Sequence, residues 1–201
     1  MKDKIINKSI KIVKTYTCFN NDKIDNIRYG LEVLYLTISK IVVISFCSLF
    51  LHTLKELFLL FLFYGILRVF SFGLHAKKSI DCWISSLFFF LTFPHLITKV
   101  VIPIKFFKFS LSFFLILIFK YAPADTPKRP LLNQKKRIVY KLLTFIISLV
   151  YSIVILLSKN IYIQNLLFFS IFIQTILIIP LSYKIFGIEY NNYKKYEKKG
   201  G

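Results

Sequence analysis

The chain has 201 residues, 56% of them hydrophobic, with 23 Phe, 12 Tyr and a net charge of +19 from 28 basic and 9 acidic residues. A soluble domain is nearer about 45–50% apolar; the excess here falls in runs of about 17–24 residues, enough to cross a hydrocarbon core roughly 30 Å thick. An ordinary soluble domain is therefore excluded, three scattered cysteines exclude a disulfide framework, and the basic excess is explained by membrane orientation, without nucleic acid.

The first 31 residues are mixed in character. Ile5, Ile6, Ile10, Ile12, Val13, Tyr16 and Phe19 recur at helical spacing among Lys2, Lys4, Lys8, Lys11 and Lys14, the pattern of a basic amphipathic helix lying in a membrane interface. The charged opening, Met-Lys-Asp-Lys, has no compact apolar core or small-residue cleavage site behind it, so no removable signal peptide is expected. Asn20, Asn21 and Asp22 read as a turn, with Asp25 starting the next helix.

Six apolar segments follow: Val33–His52, Leu57–Phe72, Cys82–Val101, Phe106–Tyr121, Ile138–Ser158 and Ile161–Phe186. The expected fold is all-α, a polytopic membrane protein of six transmembrane helices preceded by the interfacial helix. The fourth segment is short, with only Phe109–Phe119 free of charge, consistent with a short, tilted or partly re-entrant span. The chain then divides into a surface segment 1–31, a membrane domain 32–186 with polar loops 68–82 and 121–137, and a Lys-rich tail 187–201 apposed to lipid or disordered.

Six spans put both termini on one side with the two long loops. Of the 28 Lys and Arg residues, 21 fall on that side, 5 on the other, and Lys40 and Lys141 lie within spans. The bias places the termini and both loops in the cytoplasm of a multi-pass protein of the cell membrane.

The Arg68–Cys82 stretch is the richest in chemistry. Ser79 stands where an N-cap would put Cys82 at the third helical position. A thiolate there faces unpaired backbone N–H groups and the positive end of the helix dipole, with Lys77 and Lys78 nearby. His75 is the one histidine on this side. On a continuous helix seven residues separate His75 and Cys82 by about 10 Å, but Gly73 and the Lys77–Ser79 run suggest a turn that folds the imidazole back onto the sulfur. A Cys–His pair in reach is the minimum for thiol acyl transfer; spacing alone also allows two unrelated interfacial side chains. Asp81 and Glu32 are the candidates to orient His75, and Asp81 is also placed to act as a helix-start acceptor. Arg68 is either a stop-transfer cation or a partner for Glu32. His52 and His95 fall near the opposite side, Cys47 is mid-span and Cys18 lies on the surface helix. No metal-ligand spacing, nucleophile elbow or phosphate loop occurs in the sequence, so no metal and no cofactor is expected.

Arg68-x(4)-Gly73-x-His75-Ala76-x(5)-Cys82, together with Tyr121-Ala-Pro-Ala-Asp-Thr-Pro-Lys-Arg-Pro-Leu131 and Tyr29-Gly-Leu-Glu-Val-Leu, resembles the accessory gene regulator protein B (AgrB) family over roughly residues 1–185. The resemblance implies a membrane cysteine endopeptidase that processes the precursor of a cyclic autoinducing peptide used in quorum sensing, an AgrD-like partner. His75 and Cys82 take its catalytic positions; Arg68 and Glu32 fall where the family carries polar residues tied to activity, and the family suggests a homodimer. Phe72 departs from a Gly-Gly-x-His run found in many relatives and stiffens the turn. Arg68, Lys77, Lys128 and Arg129 are then expected to bind an acidic precursor tail. The loop stiffened by Pro123, Pro127 and Pro130 is either a wall of the substrate groove or a linker between spans. Two non-enzymatic readings compete. A small transporter needs facing polar groups at mid-membrane; Lys40, Lys141, Gln164 and Gln174 lie within spans, and the sequence puts no acidic residue at the same depth. A scaffold would recruit acidic peptides through its basic face, with Cys82 incidental.

Overall fold

The computed structural model describes residues 2–17, 19–74, 79–126 and 131–193. Among them are eight helices: α1 (Lys2–Tyr16), α2 (Asn21–Phe50), α3 (Leu54–Ser71), α4 (Ser79–Lys99), α5 (Ile104–Tyr121), α6 (Gln134–Leu157), α7 (Ile161–Ile178) and α8 (Pro180–Ile185). Extended pairing includes one parallel bridge between Phe72 and Ala124. The fold is all-helical, as the apolar periodicity requires.

The chain forms two compact units, Met1–Phe46 and Cys47–Gly201. In the first, Ile6 and Ile10 lie one turn apart on α1 and are buried with Ile24 of α2, against Ile27 and Leu31. This is the i, i+4 stripe of an amphipathic helix finding a partner. The Arg28 guanidinium donates to the Asn7 side-chain oxygen at 3.1 Å. The helix after the turn starts at Asn21, not Asp25, and runs unbroken for 30 residues.

The second unit is a bundle around α7, which packs against α3, α4, α5 and α6. The sequence Ile-Tyr-Ile-Gln-Asn-Leu-Leu-Phe-Phe-Ser-Ile-Phe-Ile is apolar on every side, as a central helix must be. Phe168 sits amid the rings of Phe107, Phe114 and Phe172 at 5.2–6.3 Å. On α6 the buried hydroxyls of Thr144, Ser148 and Ser152 each donate to the carbonyl four residues back at 2.8 Å. These small residues let helices approach closely. Asn165 of α7 reaches across to the end of α4, donating to the carbonyls of Ile97 (2.9 Å) and Val100 (2.7 Å). Asn133 and Asn160 cap α6 and α7, their side-chain oxygens accepting from Lys136 N–H at 3.1 Å and Tyr162 N–H at 2.9 Å.

Outward positions are apolar: Phe109 is 78% exposed, Phe58 69% and Ile116 64%. Faces of this kind belong in lipid. Among the described residues, four helical stretches are long and apolar enough to cross a membrane: Lys23–Phe50, Ile80–Lys99, Gln134–Leu157 and Ile161–Ile178. The remaining two segments form α3 and α5, each an uninterrupted helix of 18 residues with three charges near its ends (Lys55, Glu56 and Arg68; Lys105, Lys108 and Lys120). The last segment is not one helix to Phe186. It breaks at Ile179, because Pro180 has no N–H for the Ile176 carbonyl and its ring crowds that group. The Ser182 hydroxyl takes the orphaned Ile176 carbonyl instead.

Candidate active site

The site is built on the way α3 stops. Ser71 is its last residue; Phe72 then turns to φ 56°, ψ −132° and Gly73 to φ 116°. Only glycine enters this half of conformational space freely. Gly73 is also sterically fixed: a Cβ there would overlap the Arg68 guanidinium and come within 2.9 Å of the Leu177 carbonyl oxygen.

Leaving the helix strands three carbonyls without ladder partners. Arg68, one turn back, satisfies all three. Its Nη1 donates to Phe72 O at 2.7 Å, and its Nη2 to Gly73 O at 3.2 Å and Leu74 O at 2.6 Å. Arg68 is thus a fork that holds the chain at Phe72, Gly73 and Leu74. Glu32 lies on α2 in the first unit, half-buried.

The arm 72–74 is then stitched to two neighbours. Gly73 N–H donates to Ala124 O (2.8 Å), Ala124 N–H to Ser71 O (2.9 Å) and Leu74 N–H to Leu177 O (2.8 Å). The Leu177 carbonyl is available because Pro180 ends α7 a turn early. Gln174 of α7 adds a second donor to Phe72 O at 2.9 Å, and the Tyr183 hydroxyl donates to Ala124 O at 3.0 Å. The Phe72 ring rests 5.7 Å from that of Tyr140.

The Tyr121–Leu131 loop therefore enters the site through its backbone. It turns at a cis Ala122–Pro123 bond and buries Asp125 completely. Asp125 Oδ2 accepts from Tyr193 N–H at 3.0 Å and Leu131 N–H at 3.4 Å and lies 3.9 Å from Arg137 Nη1. Burial pushes the Asp125 carboxyl above its ordinary range, against the opposing pull of those N–H groups and of Arg137.

Cys82 is a half-buried thiol in the first turn of α4. The described part of α4 starts at Ser79, and Cys82 lies three residues on, in its first turn. Asp81 beside it is half-buried, and its carbonyl accepts the Ser85 hydroxyl at 2.7 Å. Tyr64, one turn before Arg68 on α3, lies within electrostatic reach of both Arg68 and Cys82, its ring edge-on to Phe90 of α4 at 5.4 Å. His75, Lys77, Lys128 and Arg129 lie outside the described residues, whose first loop ends at Leu74, next to His75.

Three residues in this network carried weak sequence signals. Gln174 was visible as a buried amide in an apolar run, the kind of polar group that a membrane interior tolerates only with a purpose. Asp125 sat in the Pro-rich motif without a role. Tyr183 was hidden inside a segment read as continuous helix.

A helical bundle with membrane-length apolar helices and a polar, proline-closed loop cluster at one set of helix ends defines an integral membrane protein. The comparisons narrow the class. The sequence profile of accessory gene regulator B matches residues 3–178. A putative AgrB-like protein of Listeria welshimeri is 32% identical over 171 residues, covering 85% of this chain and 84% of its own. The accessory gene regulator protein B of Staphylococcus epidermidis is 31% identical over 185 residues, covering 89% and 93%, and a putative AgrB-like protein of Clostridium acetobutylicum is 29% identical over 172 residues, covering 86% and 82%. No solved structure matches. The chain belongs to the accessory gene regulator B family.

Proposed function

We propose that the chain is a membrane-embedded cysteine endopeptidase of an accessory gene regulator system, cutting the C-terminal tail from an AgrD-like precursor and closing the remainder into a ring. Two observations support this reading: a half-buried thiol on the first turn of α4, and a backbone arm hydrogen-bonded at every residue from Ser71 to Leu74, the residue before His75. Such anchoring is what an acid–base residue needs if it is to be held near a nucleophile. In this reading α2 to α7 all cross the membrane, α3 and α5 placing their charges at the two surfaces. The termini and the site then face the cytoplasm, with α1 at the membrane surface.

The chemistry follows from the residue types. His75 removes the Cys82 proton, and the thiolate adds to the peptide carbonyl at the end of the future ring. Collapse breaks the C–N bond, His75 returns its proton to the leaving amine, and an acyl-enzyme thioester remains. A thiol or hydroxyl within the bound peptide then attacks that thioester. Cys82 leaves and is reprotonated, and a thiolactone or lactone departs. Water competes for the thioester, so a site at the membrane edge favours ring closure over hydrolysis.

Co-expression with the precursor peptide, followed by intact mass, tests this. Wild type releases the tail, Cys82→Ala leaves the precursor whole, and His75→Ala does the same. Equal cleavage by wild type and Cys82→Ala refutes the assignment and returns the chain to the transporter or scaffold readings.

A further inference from the structure

On the far side of the loop cluster from Cys82 in sequence, the end of α5 and the start of α6 enclose a groove of about 360 Å³ whose lining includes Lys120, Tyr121, Arg137, Lys141, Tyr190 and Tyr193. Three cations converge there, and each lies against an aromatic ring. Lys120 Nζ stands 5.2 Å from the Tyr121 ring, Lys141 Nζ 4.4 Å from Phe119, and the Arg137 guanidinium 3.4 Å from Tyr193. The acid behind them, Asp125, is fully buried and already accepts two backbone N–H groups. Arg137 Nη1 is itself buried without a hydrogen-bond acceptor, its distance to Asp125 being 3.9 Å. With Asp125 as the counter-charge of Arg137, Lys120 and Lys141 add two further positive charges to the groove, and the buried Arg137 donor calls for an acceptor.

A second feature decides which anion. Ile138, in the groove wall, begins a row with Leu142 and Ile146 on α6, exposed by 61%, 51% and 51%. The row runs about 12 Å along the helix, and α6 is one of the membrane-length helices. Cations at the mouth of an exposed apolar strip match an anionic headgroup joined to an acyl chain. The tyrosines at the same level are the side chains favoured at a membrane surface.

We propose that this groove binds the phosphate headgroup of an anionic phospholipid, whose chain lies along Ile138, Leu142 and Ile146. The proposal is separate from the proteolytic reading, because none of its readouts involves peptide cleavage. The full chain, purified in detergent, is titrated with phosphatidylglycerol or phosphatidylcholine, and retained lipid is counted by native mass spectrometry. Wild type retains phosphatidylglycerol over phosphatidylcholine, and the preference falls with added salt. Removing both lysines as K120Q/K141Q weakens retention about 30-fold, roughly fivefold per cation. K135Q/K136Q has the same change in net charge on exposed residues outside the groove lining and keeps the preference. Equal retention of the two lipids by wild type overturns the proposal, and so does equal loss in the two double variants. Binding of inorganic phosphate alone as tightly as phosphatidylglycerol makes the groove a free-anion site and overturns the lipid assignment. An acidic peptide that separates wild type from K120Q/K141Q, where phosphatidylglycerol does not, makes it a peptide groove. If K120Q/K141Q does not fold, wild type alone decides: a phosphatidylglycerol preference that inorganic phosphate fails to displace sustains the lipid site, and its absence ends it.

Discussion

Replacing Phe72 by Gly and by Ala should give the reverse of the usual order of stabilities. At an ordinary position Gly is about 0.5–1 kcal/mol less stable than Ala, because it loses more chain entropy. Phe72, however, sits at φ 56° and ψ −132°, where a residue with a Cβ carries about 1–3 kcal/mol of strain. Both substitutions remove the ring, which is 9% exposed and packs on Tyr140, and so both lose about 1.5–3 kcal/mol of burial. Ala keeps the strain; Gly sheds it. The difference favours Phe72→Gly over Phe72→Ala by about 1 kcal/mol, or roughly 3 °C in Tm for a chain of this size. Phe72→Gly itself should lie about 1 kcal/mol below wild type, since strain relief less the entropy cost of Gly offsets only part of the lost packing. The assay is thermal unfolding of the three proteins in one detergent, with near-ultraviolet dichroism as the probe. If Phe72→Ala is the more stable of the two variants, the positive φ is not a property of the folded chain. The explanation of the arm by backbone geometry then fails.

Gly73→Ala is expected to cost more than Phe72→Ala, because its Cβ would overlap the Arg68 guanidinium and press on the Leu177 carbonyl; Tm and precursor cleavage should both fall, and an unchanged Tm would refute the packing. Arg68→Lys keeps the charge but loses the planar fork, leaving at least one of three part-buried carbonyls unsatisfied. The expected loss is about 1–3 kcal/mol, read by denaturant titration, and a loss under about 0.5 kcal/mol would mean that water or another donor substitutes. The Asp125 carboxyl is raised by burial, so the folded chain holds its proton at a pH where the unfolded chain has released it. Stability contributed by this group therefore increases as pH falls from neutrality through the raised pKa, and levels off near the ordinary carboxylate value of about 4. Comparing Tm against pH for wild type and Asp125→Asn checks the sign: the variant should lose that slope, and a wild-type slope of opposite sign would refute it.

The elements that could be read from the sequence were those with a strong local cause. Apolar runs gave α3 to α6 to within a few residues, since length and hydropathy act over a whole segment. The end of α7 was lost because Pro180 lies inside a run that stays apolar on both sides, so composition masks the break. Gly73 and Arg68 were both picked out, but the hydrogen bonds that Arg68 makes to the arm were not foreseen. A charged residue near a helix end suggests water or a carboxylate, whereas its partners are carbonyls three to six residues on, visible only after the chain turns back. Cys82 could be placed on a first helical turn from the polar-to-apolar switch at Ser79. The pairing of Ala124 with Ser71 and Gly73 could not, since two segments some fifty residues apart meet only through tertiary packing.

That pairing changes how the Pro-rich loop is best understood. As a wall of a substrate groove it would need to offer side chains or free backbone groups to a peptide. Ala124 instead spends its N–H on Ser71 and its carbonyl on both Gly73 and Tyr183, and it is fully buried. Asp125 turns its carboxylate inward to Leu131 and Tyr193. Ala124 is therefore spent on holding the arm at Ser71 and Gly73, a bracing role that stands beside the wall and linker readings of the loop. In the proposed mechanism such a brace acts on catalysis only through position. A variant that weakens it, such as Tyr183→Phe, should lower kcat for cleavage while leaving precursor affinity unchanged. A groove wall would show the opposite split, with affinity lost first.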